Sequence, residues 1–91
     1  MVSERRVTVI NELGLHARPA AEFVKLASRF ESEIHLTKDG DAVNGKSIMG
    51  VMTLAAECGA ELTLRADGSD AEAAVTALEE LVANEFGITS E

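Results

Sequence analysis

Hydrophobic and polar residues alternate in three short segments of the chain, the pattern of strands with one buried and one solvated face. In one of them Ile34 and Leu36 occupy the apolar positions. Asp39-Gly40, a dipeptide typical of hairpin turns, follows that segment directly. The alternation predicts strands at Arg5–Ile10, Glu33–Lys38 and Glu61–Ala66, and the turn predicts a short returning strand at Asp41–Asn44.

Three other segments have apolar residues three and four positions apart, which is typical of one face of a helix. The first, Ala17–Phe30, has Pro19 in its first turn, where the missing N–H of proline costs little, so His16 is predicted as the N-cap. The second, Ser47–Leu54, begins with a serine suited to capping. A capping box, Ser69-Asp70-Ala71-Glu72, precedes the third. The predicted buried stripes are Ala20, Phe23, Val24, Ala27 and Phe30 in the first helix, and Ala71, Ala74, Val75, Leu78, Leu81 and Val82 in the third.

The predicted element order is β-α-β-β-α-β-α, which favours the α+β class. Four strands in this order form an antiparallel sheet that buries one face beneath the three helices. A chain of 91 residues has room for one hydrophobic core. We therefore expect a single domain over residues 1–91.

Net charge and cysteine content limit the classes of partner and the cellular compartment that we expect. Eight basic against sixteen acidic residues give a net charge of −8, which argues against nucleic acid and anionic membranes as ligands. No apolar run is long enough to span a membrane, and no signal-type stretch follows the first residues. Cys58 is the only cysteine, so an internal disulfide is excluded and a reduced, cytoplasmic setting is expected. We expect Cys58 to be a half-buried filler, and we expect neither a cofactor nor a metal.

The candidate chemistry lies in the run from Gly14 to Ala20, where a strand gives way to a helix. Neutral imidazole is a usable nucleophile near neutral pH, and His16 is predicted at the helix start. The first N–H groups of a helix favour anions, and the guanidinium of Arg18 suits phosphate oxygens. The run therefore predicts a site that accepts and releases a phosphoryl group.

A second candidate site surrounds Ser47, which begins the short second helix. Its neighbours Ile48, Met49 and Met52 cannot all be buried on so short a helix, and methionine suits contacts with several partners. The cations Lys25 and Arg29 lie on the first helix and, with Arg18, predict a basic face near His16 that docks acidic proteins.

Two motifs, Gly14–Ala20 and Lys46–Met52, together with the length and element order, resemble the histidine-containing phosphocarrier (HPr) family of the phosphoenolpyruvate-dependent phosphotransferase system. The resemblance implies an open-faced β-sandwich in which His16 Nδ1 accepts the phosphoryl group, while Arg18 and the Ala17 amide stabilise it. It implies enzyme I as donor and an EIIA-type domain as acceptor, so the protein is a carrier and not an independent catalyst. It also implies docking through Ile48, Met49 and Met52, and regulatory phosphorylation of Ser47 by HPr kinase/phosphorylase.

The chain departs from many sugar-transport members of that family just before the active glycine. Those members have a small polar residue there that hydrogen-bonds the histidine, whereas this chain has Leu13. The segment from Asn11 to Pro19 resembles the nitrogen-related branch, while the Ser47 segment resembles the kinase-regulated branch. A nitrogen-branch protein unlinked to sugar import therefore stays open as an alternative.

Three further readings come from other functional classes. The main rival is a purely regulatory effector that works through Ser47 and never relays phosphate. A small metal-carrying domain would need a cysteine pair before the first helix, and the chain has none there. An acyl carrier would be all-helical, which the strand patterns oppose. Nothing in the sequence requires more than a monomer.

Overall fold

Four strands and three α-helices alternate in the order that the sequence predicts. In the computed structural model, which describes residues 1–87, the elements are β1 (Val2–Thr8), α1 (Ala17–Ala27), β2 (Glu33–Lys38), β3 (Asp41–Asn44), α2 (Ile48–Thr53), β4 (Glu61–Asp67) and α3 (Ala71–Ala83). A 3₁₀ turn at Glu85–Gly87 follows α3. The expectation of one domain over residues 1–91 includes positions 88–91, which lie outside the described residues.

The strands form one antiparallel sheet in the order β1-β4-β2-β3. Leu64 in β4 lies opposite Arg5 in β1 and Leu36 in β2, so these residues share one face of the sheet. The other face carries polar residues, with Arg65 opposite both Glu4 and His35. The predicted class, a four-stranded antiparallel open sheet with three helices, is confirmed.

The core lies between the sheet and the helices. From α1 it receives Ala20, Phe23 and Ala27, and Val51 is the buried residue of α2. Burial of a side chain as large as Phe23 contributes about 1.5–3 kcal/mol. Five of the six predicted stripe positions of α3 are buried, namely Ala71, Ala74, Val75, Leu78 and Val82, while Leu81 is half-buried against the core. The sequence pattern missed Phe86, which is buried in the turn after α3.

Strand β1 and helix α1 differ most from their predicted bounds, while α2 differs by one residue at each end and β4 by one residue at its carboxyl end. Strand β1 begins at Val2 and ends at Thr8, because its pairing with β4 runs over that whole length. Helix α1 ends at Ala27, because the N–H groups of Arg29 and Phe30 bond the carbonyls three residues back, in a tighter turn that closes the helix. Phe30 therefore lies beyond the helix, although it still packs against the core.

The predicted capping box at α3 is wrong. Asp70 is the N-cap residue, and neither its side chain nor that of Glu72 caps the helix. The Asp70 carboxylate accepts hydrogen bonds from the backbone N–H groups of Glu31 and Ser32 and from the Ser32 hydroxyl. Glu72 accepts from the Ser3 hydroxyl and from Arg5. Both carboxylates therefore accept hydrogen bonds from other parts of the chain and not from the backbone N–H groups at the start of α3.

The expected half-buried position of Cys58 is also wrong. The side chain is exposed in the turn before β4, with its Sγ 3.7 Å from the carbonyl oxygen of Ile10. A turn that crosses the end of β1 leaves its outer residues in solvent, and the sequence carries no signal of that crossing.

Candidate functional site

His16 is the N-cap of α1 and is exposed. Its backbone is extended (φ −86°, ψ −167°), and its carbonyl oxygen accepts the first helical hydrogen bond from the Ala20 N–H at 3.0 Å. The imidazole makes no capping hydrogen bond. The predicted N-cap is confirmed, and the histidine ring is accessible to a reactant in solution.

The amino end of α1 supplies backbone donors beside this imidazole. A helix has no internal carbonyl for the N–H groups of its first residues. The third residue of α1 is Pro19, which has no N–H and is buried against the core. Among the first three helical residues, the backbone N–H groups therefore belong to Ala17 and Arg18, which follow His16 directly. The Arg18 side chain begins from the same turn and is exposed. The arrangement favours an anion.

A tight turn leads into His16 and is bonded at several points. The Gly14 N–H donates to the Asn11 carbonyl at 3.0 Å, and the Asn11 side-chain amide donates back to the Gly14 carbonyl. The Leu15 N–H donates to the Ala56 carbonyl at 2.8 Å. The sequence did not predict the hydrogen bond from the Asn11 side chain, since its partner is set by the geometry of the turn and not by a motif.

Ser47 is the N-cap of α2, as predicted. Its hydroxyl oxygen accepts a hydrogen bond of 3.1 Å from the Gly50 N–H, and its side chain is partly exposed. The preceding residue, Lys46, donates from Nζ to the Phe30 carbonyl at 2.7 Å and so ties the start of α2 to the chain just after α1.

Three apolar side chains of α2 remain in solvent. Met49 is 78 % exposed, and Ile48 and Met52 are also exposed, whereas Val51 on the opposite side is fully buried. We call Ile48, Met49 and Met52 the α2 apolar surface. Exposed Leu13, in the turn before His16, is a further large apolar side chain that the sequence analysis did not assign to docking.

Lys25 and Arg29 do not surround His16. Lys25 lies nine residues further along, about 13 Å in helical rise, and Arg29 lies beyond the end of α1. Lys25 is exposed and pairs with Glu22 one turn away at 3.4 Å. The basic residues thus lie along α1 rather than in a ring around the histidine.

Within residues 1–87 no three metal-ligating side chains come together. Over the same residues no helix combines the length and hydropathy that a membrane span requires.

Comparison with known proteins agrees with this geometry. The family model described as "PTS HPr component phosphorylation site" matches residues 3–84. The phosphocarrier protein HPr of Treponema pallidum is 54 % identical over 82 residues, which cover 90 % of this chain and 93 % of the relative.

Solved structures match as well. HPr-C-His from Thermoanaerobacter tengcongensis superposes with a TM-score of 0.91 at 45 % identity, covering 97 % of this chain and 99 % of that one. An HPr dimer from the same organism superposes with a TM-score of 0.76 at 48 % identity, covering 90 % and 94 %. The chain therefore belongs to the HPr family, the phosphocarrier proteins of the phosphotransferase system.

Proposed function

We propose that this protein, acting as one domain, accepts a phosphoryl group on His16 Nδ1 from phosphorylated enzyme I and passes it to an EIIA-type domain. The observation that carries the proposal is the exposed imidazole at the N-cap of α1, not engaged in capping. Family membership supports the relay, because phosphocarrier proteins transfer a group without turning over a substrate of their own.

The transfer requires little covalent chemistry from the protein. The imidazole lone pair attacks phosphorus, a new N–P bond forms, and the bond from phosphorus to the donor breaks in line with it. The Ala17 amide and Arg18 stabilise the charge on the phosphoryl oxygens, each contact contributing roughly 1–3 kcal/mol. An exposed site that stabilises the group only moderately can release it to the next protein.

We further infer that phosphorylation of Ser47 by HPr kinase/phosphorylase regulates docking. A phosphate adds nearly two negative charges directly beside the α2 apolar surface. Helix N-termini tolerate anions, so the fold survives while contact with enzyme I weakens. Partial exposure of Ser47 is compatible with access by a kinase.

Partner docking is proposed to combine the α2 apolar surface with cations along α1. Apolar contacts supply affinity, and Lys25 and Arg29 raise the association rate with acidic partners. Charge reversal at both cations slows association and flattens its dependence on salt. Unchanged rates at every salt concentration would exclude the two cations from docking.

The relay is tested by incubating the protein with enzyme I and labelled phosphoenolpyruvate. The intact protein gains one acid-labile phosphate, whereas His16→Ala gains none and stays folded. His35→Ala is the matched control, because His35 lies half-buried in β2 and away from α1; it is labelled normally. Undiminished labelling of His16→Ala would refute the assignment. A protein that gains no acid-labile phosphate here, and gains only an acid-stable one in a parallel incubation with ATP and the kinase, would be the purely regulatory effector instead.

A further inference from the structure

Asn11 is a buried polar residue at the entrance to the site that the relay chemistry does not use. Only 9 % of it is exposed. Its side-chain Nδ2 donates to the Gly14 carbonyl, while its own carbonyl accepts from the Gly14 N–H at 3.0 Å. One residue therefore closes both sides of the turn that leads into His16.

The orientation of the Asn11 amide follows from its partner. A backbone carbonyl such as that of Gly14 can only accept, so the group facing it must be the nitrogen. The oxygen Oδ1 is then left buried without a hydrogen-bond partner among the described residues. An unpartnered buried acceptor destabilises a protein, and this cost offsets part of the stabilisation that comes from the bond to the Gly14 carbonyl. The net contribution of Asn11 to stability is therefore smaller than that of a fully paired side chain.

The bond from Asn11 acts on one particular peptide group. The Gly14 carbonyl and the Leu15 N–H belong to the same rigid plane. Asn11 Nδ2 holds the carbonyl end, and the Ala56 carbonyl holds the N–H end at 2.8 Å. Only the Leu15 residue separates this peptide plane from the His16 backbone, so its tilt sets the direction in which the chain enters α1.

We propose that Asn11 is a positioning residue for phosphoryl transfer, which fixes the Gly14–Leu15 peptide and thereby the placement of the His16 imidazole. The inference rests on the proposed function of His16. Asn11 acts through the backbone and does not itself contact the phosphoryl group. Small misplacement of a reacting group slows transfer markedly, which is why one hydrogen bond in this turn matters.

The decisive variant is Asn11→Leu, since leucine has nearly the same shape and removes both the donor and the unpartnered oxygen. The substitution removes the unpartnered Oδ1 but also leaves the Gly14 carbonyl without this donor, so the two effects oppose each other and we expect only a small change in stability to urea. The imidazole ¹H–¹⁵N signals of His16 shift while those of His35 do not. Phosphorylation by enzyme I and phosphoenolpyruvate slows roughly five- to tenfold, in line with the loss of one hydrogen bond. Asn11→Ala is a second variant, for which we expect the same shift of the His16 signals and the same slowing of phosphorylation.

Ser32→Ala is the matched control. Ser32 is another buried polar residue, and its hydroxyl bonds Asp70 at the start of α3. This variant lowers stability but leaves both the His16 signals and the transfer rate unchanged, which separates positioning from a general loss of stability.

Unchanged His16 signals and an unchanged rate in both Asn11 variants would overturn the proposal. Failure of the unmodified protein to be labelled would instead refute the relay. The imidazole signals, measured on the protein alone, still decide whether Asn11 positions His16.

Discussion

Gly14 lies so close to the carbonyl of Ala56 that a Cβ on this glycine would sit 2.5 Å from the Ala56 oxygen. The same carbonyl accepts the Leu15 N–H, so the loop before β4 forms the wall against which the His16 turn is held. Gly14 also has a φ of +72°, which side chains of L-residues rarely adopt. Conformation and space together require glycine here.

Gly14→Ala is therefore expected to lower the free energy of unfolding by on the order of 2–4 kcal/mol, through backbone strain and overlap with Ala56. Urea unfolding measures the change. Gly40→Ala is the control, because Gly40 also has a positive φ, +86°, but has nothing within 4 Å of the added carbon. That variant loses only about 1–2 kcal/mol. Equal losses in the two variants would show that the contact with Ala56 contributes nothing.

Ser47 variants separate capping from docking. Ser47→Ala loses the hydrogen bond from the Gly50 N–H and about 1 kcal/mol of stability. Ser47→Asp keeps a capping oxygen, so its stability stays within about 0.5 kcal/mol, while the added charge slows phosphorylation by enzyme I by about tenfold. Ser69→Asp adds the same charge at an exposed turn and transfers normally. Transfer by Ser47→Asp as fast as by Ser69→Asp would contradict the docking role of this segment.

Met49 is expected to contribute most to the α2 apolar surface, because it is its most exposed member. Met49→Ala leaves the urea midpoint unchanged, since little buried contact is lost, and slows phosphorylation by enzyme I by about fivefold or more. Val2→Ala removes another exposed apolar side chain, 48 % exposed, from edge strand β1 and does not change the rate. Equal rates in both variants would place docking elsewhere.

Asp70 gives stability a dependence on acid pH. Hydrogen bonds from the Ser32 hydroxyl and the Glu31 N–H lower the pKa of its carboxyl below the ordinary 3.8. A lowered pKa in the folded state means that the contribution is complete above the unfolded-state value and is lost as the pH falls through the folded one.

Asp70→Asn is therefore expected to show a shallower loss of stability below about pH 4 than the unmodified protein. Urea unfolding at a series of pH values measures the difference. Asp39→Asn is the control, because Asp39 lies in the exposed turn between β2 and β3; this variant loses stability below about pH 4 as steeply as the unmodified protein. If Asp70→Asn lost stability below about pH 4 as steeply as the unmodified protein, protonation of this carboxyl would not contribute to acid unfolding.

Much of the fold was predictable because local patterns and tertiary burial agree. Strands β2 and β3 begin and end where the sequence predicts, because the Asp39-Gly40 turn marked in the sequence joins them. The N-caps His16 and Ser47 were predictable because Pro19 and the serine act within their own turns. By contrast, the bounds of β1 depend on the length of β4, and the partners of Asp70 come from a segment 38 residues away.

The sequence by itself determined the class of fold, the start of α1 and the residues proposed for phosphoryl transfer, because these depend on periodicity, proline geometry and side-chain type. Only the tertiary structure decided which buried groups hold the site in place. The Ala56 carbonyl receives the Leu15 N–H only because the loop before β4 and the turn that leads into His16 meet in space. Hydrogen bonds between segments distant in the chain depend on orientations that no local pattern encodes.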